Sequence, residues 1–159
     1  MRKAFFACLL ALMMISPLML RAQQTAVGAR GGLSIFSSQG SSAGLQLGPT
    51  FDYELKKDLL LAAELNLNTQ GGTPVELGGQ VKYLFDVNRS TMTPYVDGGL
   101  GLWFVTGGPY LGLKVGGGAY FKISENLSVP ADIQLGPVFT SGSSTFYFAM
   151  TSGIRYQLR

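Results

Sequence analysis

Along residues 145–159, TFYFAMTSGIRYQLR, apolar and polar side chains alternate with a period of two. Phe146, Phe148, Met150, Ile154, Tyr156 and Leu158 fall on one side. Tyr147, Ala149, Thr151, Gly153, Arg155 and Gln157 fall on the other. A period of two is that of a β-strand, whose successive side chains point to opposite faces. The same alternation predicts eight strands, at residues 25–35, 43–53, 59–68, 74–85, 92–105, 110–122, 128–139 and 145–159. Clusters of Gly, Ser, Asn and Asp separate them, as turn chemistry requires. Each segment is longer than the five or six residues common in soluble sheets.

The charges sort with the alternation. When each register is chosen from the apolar residues, Arg30, Asp52, Glu64, Glu76, Lys82, Asp97, Lys114, Lys122, Asp132 and Arg155 all fall on the polar face. A soluble sandwich would sort its charges in the same way, so the aromatic residues discriminate. Tyr53, Tyr83, Phe85, Phe121 and Tyr156 lie toward one end of the segments, and Phe36, Phe104, Phe139, Phe146 and Phe148 toward the other. Two such bands are the expected girdles of a membrane barrel, and a soluble core has no reason to form them. An even number of strands also allows closure, which leaves no unpaired edge in lipid. The prediction is an all-β fold, an eight-stranded antiparallel up-and-down transmembrane β-barrel over residues 23–159. Pro49, Pro130 and Pro137 fall inside strands and predict bulges or early strand ends there. Trp103 is placed inward, near one mouth.

The first 22 residues read differently. Arg2 and Lys3 precede an apolar run at 4–15, then Ser16-Pro17 and Leu20-Arg21-Ala22. That layout is the one expected of a secretory signal peptide cleaved after Ala22. The run is too short to span a bilayer as a helix. Cys8, the one cysteine, lies within it, so no disulfide or thiolate site is expected in residues 23–159. Three of the twelve basic residues also fall there, and the nine that remain balance nine acids. The net charge of +3 is therefore no argument for nucleic acid, and none is expected as a partner.

Residues 93–104, TPYVDGGLGLWF, and 110–129, YLGLKVGGGAYFKISENLSV, carry a resemblance. They resemble the small eight-stranded outer-membrane β-barrels of Gram-negative bacteria, the outer membrane protein X type and the barrel half of outer membrane protein A, broadly grouped as the porin family. The resemblance implies residence in the outer membrane, with lipid around the apolar face. It further implies recognition of the C-terminal strand by the barrel assembly machinery. The chain departs from the pattern in two places. Where the family often carries an inward Arg-x-Glu in the seventh strand, Pro130-Ala131-Asp132 stands here, and where the family ends in Phe, Leu158 is followed by Arg159.

The candidate chemistry is sparse. The chain contains no histidine, the usual general base of hydrolases, and its serines concentrate in turns. Gly116-Gly117-Gly118 lacks the Lys-Ser/Thr ending of a phosphate loop. Neither enzyme activity, cofactor nor metal is expected. Eight strands leave an interior just wide enough for side chains to fill. Five inward acids and five inward bases would neutralise one another there, giving a connected ionic plug. The expectation is a closed, monomeric structural or interaction barrel, with the turns at 54–58, 86–90 and 124–127 facing the periplasm. The alternative is a small passive channel for ions or small solutes. A soluble lipocalin-like carrier would need the reverse polarity, apolar inside and polar outside.

Overall fold

The computed structural model describes residues 24–37, 41–70, 74–87, 91–105, 108–140 and 143–158. The expected signal peptide lies outside the described residues. Eight strands follow in order: β1 (Thr25–Ser37), β2 (Ser41–Lys56), β3 (Leu59–Asn68), β4 (Val75–Leu84), β5 (Met92–Val105), β6 (Gly108–Lys122), β7 (Leu127–Thr140) and β8 (Ser143–Leu158). Each pairs antiparallel with the next, and β8 returns to β1, closing the barrel. The predicted segments 59–68 and 92–105 coincide with β3 and β5, and the others differ by a few residues at their ends. The β2–β3, β4–β5 and β6–β7 junctions lie at the end of the barrel where β1 starts and β8 ends, here called the terminal end. The other four connections lie at the opposite end.

The alternation read from the sequence decides which face is outside. Leu33, Leu47, Leu65, Leu100, Leu113 and Ile154 all stand exposed on the exterior. Gln46, Asn66, Glu76, Gln80, Lys114 and Gln134 are enclosed within. Water would reverse that arrangement, whereas lipid solvates an apolar exterior and demands that every backbone polar group be paired internally. Closure supplies the pairing. Strands of 10 to 16 residues are long enough to cross a hydrocarbon layer, which takes about 9–11 tilted residues.

Two expectations need correction. Neither bulges nor early ends occur at the prolines. β2 and β7 run straight through them, and the ladders merely lapse. Pairing between β2 and β3 skips from Leu47↔Leu67 to Thr50↔Glu64 around Pro49. Pairing between β6 and β7 skips from Gly112↔Val138 to Val115↔Leu135 around Pro137, and that between β7 and β8 from Ser128↔Arg155 to Ala131↔Ser152 around Pro130. The register is the same on both sides of each gap. Proline lacks the N–H that a ladder needs, but the strands on either side hold it in line. The register shift that is present lies at Glu54/Lys56, beside the β2–β3 turn. The second correction is Phe36, which leaves the outer girdle. Its ring packs inward on Tyr147, 5.1 Å between centroids, and edge-on to Trp103 at 6.3 Å.

Candidate functional site, the charged lumen

The inward faces of all eight strands converge on one narrow space, and three layers fill it. Toward the opposite end, Trp103, Val138, Tyr147 and Ala149 form an apolar cap, with Phe36 and Tyr110 packed against it. Trp103 is 1 % exposed, so its inward placement is plug packing. Glycines make room for it. A Cβ at Gly112 would come within 2.6 Å of the indole and one at Gly101 within 2.5 Å, and these two residues pair across β5 and β6 directly under the ring.

The middle layer is ionic. Lys114, fully enclosed, pairs with Glu76 at 2.5 Å and also with Glu64. Arg30 pairs with Glu64 and, at 3.1 Å, with Asp132. Neutral side chains complete the carboxylates. Asn66 donates to Glu76 (3.1 Å), Gln80 to Glu64 (2.9 Å) and Thr151 to Asp132 (3.0 Å), while Gln134 donates to Gln80 (3.0 Å). Gly78 stands beside Glu64 in the β3–β4 ladder, and a Cβ there would lie 2.6 Å from the Glu64 side chain.

Toward the terminal end lies a second charged group. Asp52 accepts from Arg155 Nε at 2.6 Å and from the Tyr120 hydroxyl at 3.2 Å, with Lys82 Nζ 3.6 Å away. Lys82 donates to the Tyr120 hydroxyl at 3.1 Å. The Arg155 guanidinium lies 4.8 Å over the Tyr120 ring, a favourable cation–π geometry. Leu60 and Tyr95 pack beside Tyr120.

Among the described residues, the ten candidate charges do not form one chain. Arg30, Glu64, Glu76, Lys114 and Asp132 make the central group, and Asp52, Lys82 and Arg155 the terminal one. Lys122 faces the same side but stands exposed at the rim, because it is the last residue of β6. Asp97 is enclosed, at 8 % exposure, yet neither of its carboxylate oxygens has a hydrogen-bond partner among the described residues. The neutral partners Asn66, Gln80, Gln134 and Thr151 were not singled out from the sequence. Their signal was the same alternation, which places them at inward positions beside the charges.

Among the described residues, each mouth holds a cavity, and a third of about 480 Å³ lies along the wall, lined by Leu33, Gly118, Ile133 and Met150, among others. A cavity of about 220 Å³ at the terminal end is lined by Glu54, Tyr120, Lys122 and Arg155, among others. One of about 280 Å³ at the opposite end is lined by Phe36, Gln70, Trp103, Tyr110 and Val138, among others. Among the described residues no group of three His, Cys, Asp or Glu is placed to hold a metal ion.

No family model and no curated protein matches the chain. Solved structures do. Neisserial surface protein A superposes with a TM-score of 0.73 at 21 % identity, over 83 % of this chain and 96 % of that one. The N-terminal β-barrel domain of Pseudomonas aeruginosa OprF gives 0.67 at 15 % identity, over 85 % and 97 %. PagL, an outer membrane enzyme, gives 0.54 at 14 % identity, over 81 % and 97 %. Identities this low speak for the fold alone. With its apolar exterior, closed ladder and packed polar lumen, the chain has the fold of the small eight-stranded outer-membrane β-barrels.

Proposed function

We propose that this protein is a closed, non-enzymatic barrel of the outer membrane, with a structural or interaction role rather than that of a pore. The observation that carries the reading is Lys114. Its ammonium sits fully enclosed between two carboxylates on β3 and β4, with Arg30 and Asp132 joined to the same group. A water-filled channel would leave such groups hydrated, whereas here they neutralise one another beneath an apolar cap of Trp103 and Tyr147. The non-enzymatic reading rests on the lack of any histidine and on the ion pairs that already hold Asp52, Glu64, Glu76 and Asp132. It stands beside a PagL-like fold, because catalysis lives in a site and not in a barrel. Orientation follows the expectation from sequence, with the terminal end facing the periplasm.

Planar-bilayer recording of the refolded protein is the test. The expected result is a quiet membrane with rare, small openings. Steady, ion-selective conductance at the level of a porin would favour the passive channel instead.

A further inference from the structure

The two ends of the barrel differ in charge. At the terminal end the turns carry Glu54, Lys57, Asp58, Asp86 and Glu125, among others. At the opposite end, residues 37–42, 69–74, 106–109 and 140–145 include no charged side chain. The cavity of about 280 Å³ there shares this neutrality, since no residue lining it, among those described, bears a charge. An ionic ligand would give up hydration in that cavity and meet no opposite charge. The site suits an uncharged molecule.

The lining also sets the shape and polarity of that molecule. Trp103 and Val138 form the floor, and the half-buried rings of Phe36 and Tyr110 pack against them. Walls of this kind take up an apolar body, and a few placed polar groups then fix its orientation. Two such groups belong to lining residues. The Gln70 side chain lies over Gly44, where a Cβ would come within 2.8 Å of its Cγ. Its Nε2 donates to the Ser34 carbonyl at 2.6 Å and to Ser34 Oγ at 2.8 Å. That anchoring uses the amide N–H groups and leaves Oε1 without a hydrogen-bond partner among the described residues. Trp103 Nε1, a donor only, is likewise without one. Gln70 is 6 % exposed and Trp103 1 %, and polar atoms buried to that degree are costly when left unpaired. A hydroxyl answers both, because it donates and accepts.

We propose that the opposite mouth binds a small uncharged ring compound bearing a hydroxyl, a neutral cyclic alcohol or phenol. The ring lies against Phe36, Tyr110 and Val138, and the hydroxyl is met by Gln70 Oε1 as acceptor and Trp103 Nε1 as donor. The size agrees, since roughly 150 Å³ is enough for a benzene-sized ring. The site lies outside the cap of Trp103 and Tyr147, so it goes beyond the closed reading and stands whether or not the lumen below conducts. In the orientation proposed above, it opens to the cell exterior.

Trp103 is the one tryptophan of the chain, so its emission reports on the site. The probe is cyclohexanol, which is transparent where indole is excited, titrated into the whole refolded barrel in neutral detergent. A saturable change in emission is the expected result. Methylcyclohexane keeps the ring and lacks the hydroxyl, and it should bind about tenfold more weakly, the scale of one hydrogen bond. Thr145→Phe, which fills the cavity, should abolish the response, and Gln70→Leu should weaken it for cyclohexanol alone. If Thr145→Phe does not fold, Val105→Phe fills the same cavity from β5. A response that never saturates, or that survives in the filled variants, is partition into detergent and overturns the site. Equal affinity for methylcyclohexane would overturn the hydroxyl contact, and saturable binding of cyclohexylammonium would overturn the neutral class. Saturable binding of glucose with no response to cyclohexanol would overturn it in favour of a sugar. Porin-level conductance beside an intact cyclohexanol response supports the site and removes only the closed reading.

Discussion

Lys114 is the residue on which the lumen's charges converge, and its neighbours set what its loss costs. Removal of one partner from a buried ion pair leaves the other charge uncompensated, at a cost of about 3–5 kcal/mol. Lys114→Ala strands Glu76 and leaves Glu64 with Arg30 alone, so it should sit at the upper end of that range. Glu76→Ala should cost less, because Lys114 keeps Glu64, while Asn66 loses its acceptor. Urea titrations of the refolded variants would show this order, and a costlier Glu76→Ala would mean that Glu64 is not the stronger anchor. Lys57 and Asp86 make the contrast. They pair at 3.0 Å outside the strands, and the Asp86 carboxylate holds the Lys57 ammonium above its ordinary range. Any stabilisation from a raised ammonium is complete at neutral pH and fades only in strong alkali. Both side chains stand in water, where screening leaves such a pair little to contribute.

At the scale of the strand, position along the barrel axis decides what a charge costs. Leu113, exposed near the middle of β6, should face hydrocarbon, whereas Ile123 stands just past the end of that strand. Leu113→Arg should therefore cost about 2–4 kcal/mol, and Ile123→Arg about 0–1 kcal/mol. Folding titrations into lipid bilayers would measure both, and equal costs would move the membrane boundary away from the aromatic ring at Phe121. Polarity alone suggests that an inward Arg at Asn66 is harmless, but that side chain is fully enclosed against Glu76 and leaves no room for one. The same distinction marks what the chain made legible. Alternation told inside from outside at Leu65 and Asn66, because a strand offers only two faces. It could not say that Phe36 turns into the mouth, since an aromatic near a strand end suits a girdle as well as a plug. Nor could it pair Lys114 with Glu64, 50 residues away, or show Asp97 without a hydrogen-bond partner among the described residues. Those facts depend on the stagger of the barrel, which brings side chains of non-adjacent strands to one level. The prolines misled for a related reason. Isolated in the sequence, each reads as a break, yet the barrel tolerates a lapse of two pairs where both flanking strands hold the register.

For the molecule as a whole, the seam between β1 and β8 matters most, because closure is what lets a sheet exist in lipid. Every residue of β1 from Thr25 to Ser37 pairs with β8, from Leu158 back to Phe146. The last two pairs, Thr25↔Leu158 and Ala26↔Gln157, sit at the terminal end, where Gln157 N–H also donates to the Asn126 carbonyl at 2.8 Å. Tyr156 and Leu158 point outward there, with the alternate spacing of the terminal signal in the barrels that the chain resembles. Deletion of residues 157–159 removes Leu158, two pairs of the seam and the tie to the β6–β7 turn together. If the assembly machinery reads this strand, the truncated protein should remain in the periplasm or be degraded, and little should reach the outer membrane. The full-length variant Leu158→Phe, closer to the family's ending, should assemble at least as well as the wild type. Fractionation of cells, with the heat-dependent gel mobility of folded barrels as the readout, separates these cases. Normal outer-membrane yield of the truncated protein would place the assembly signal elsewhere in the chain, and would leave β8 with closure of the barrel as its sole task.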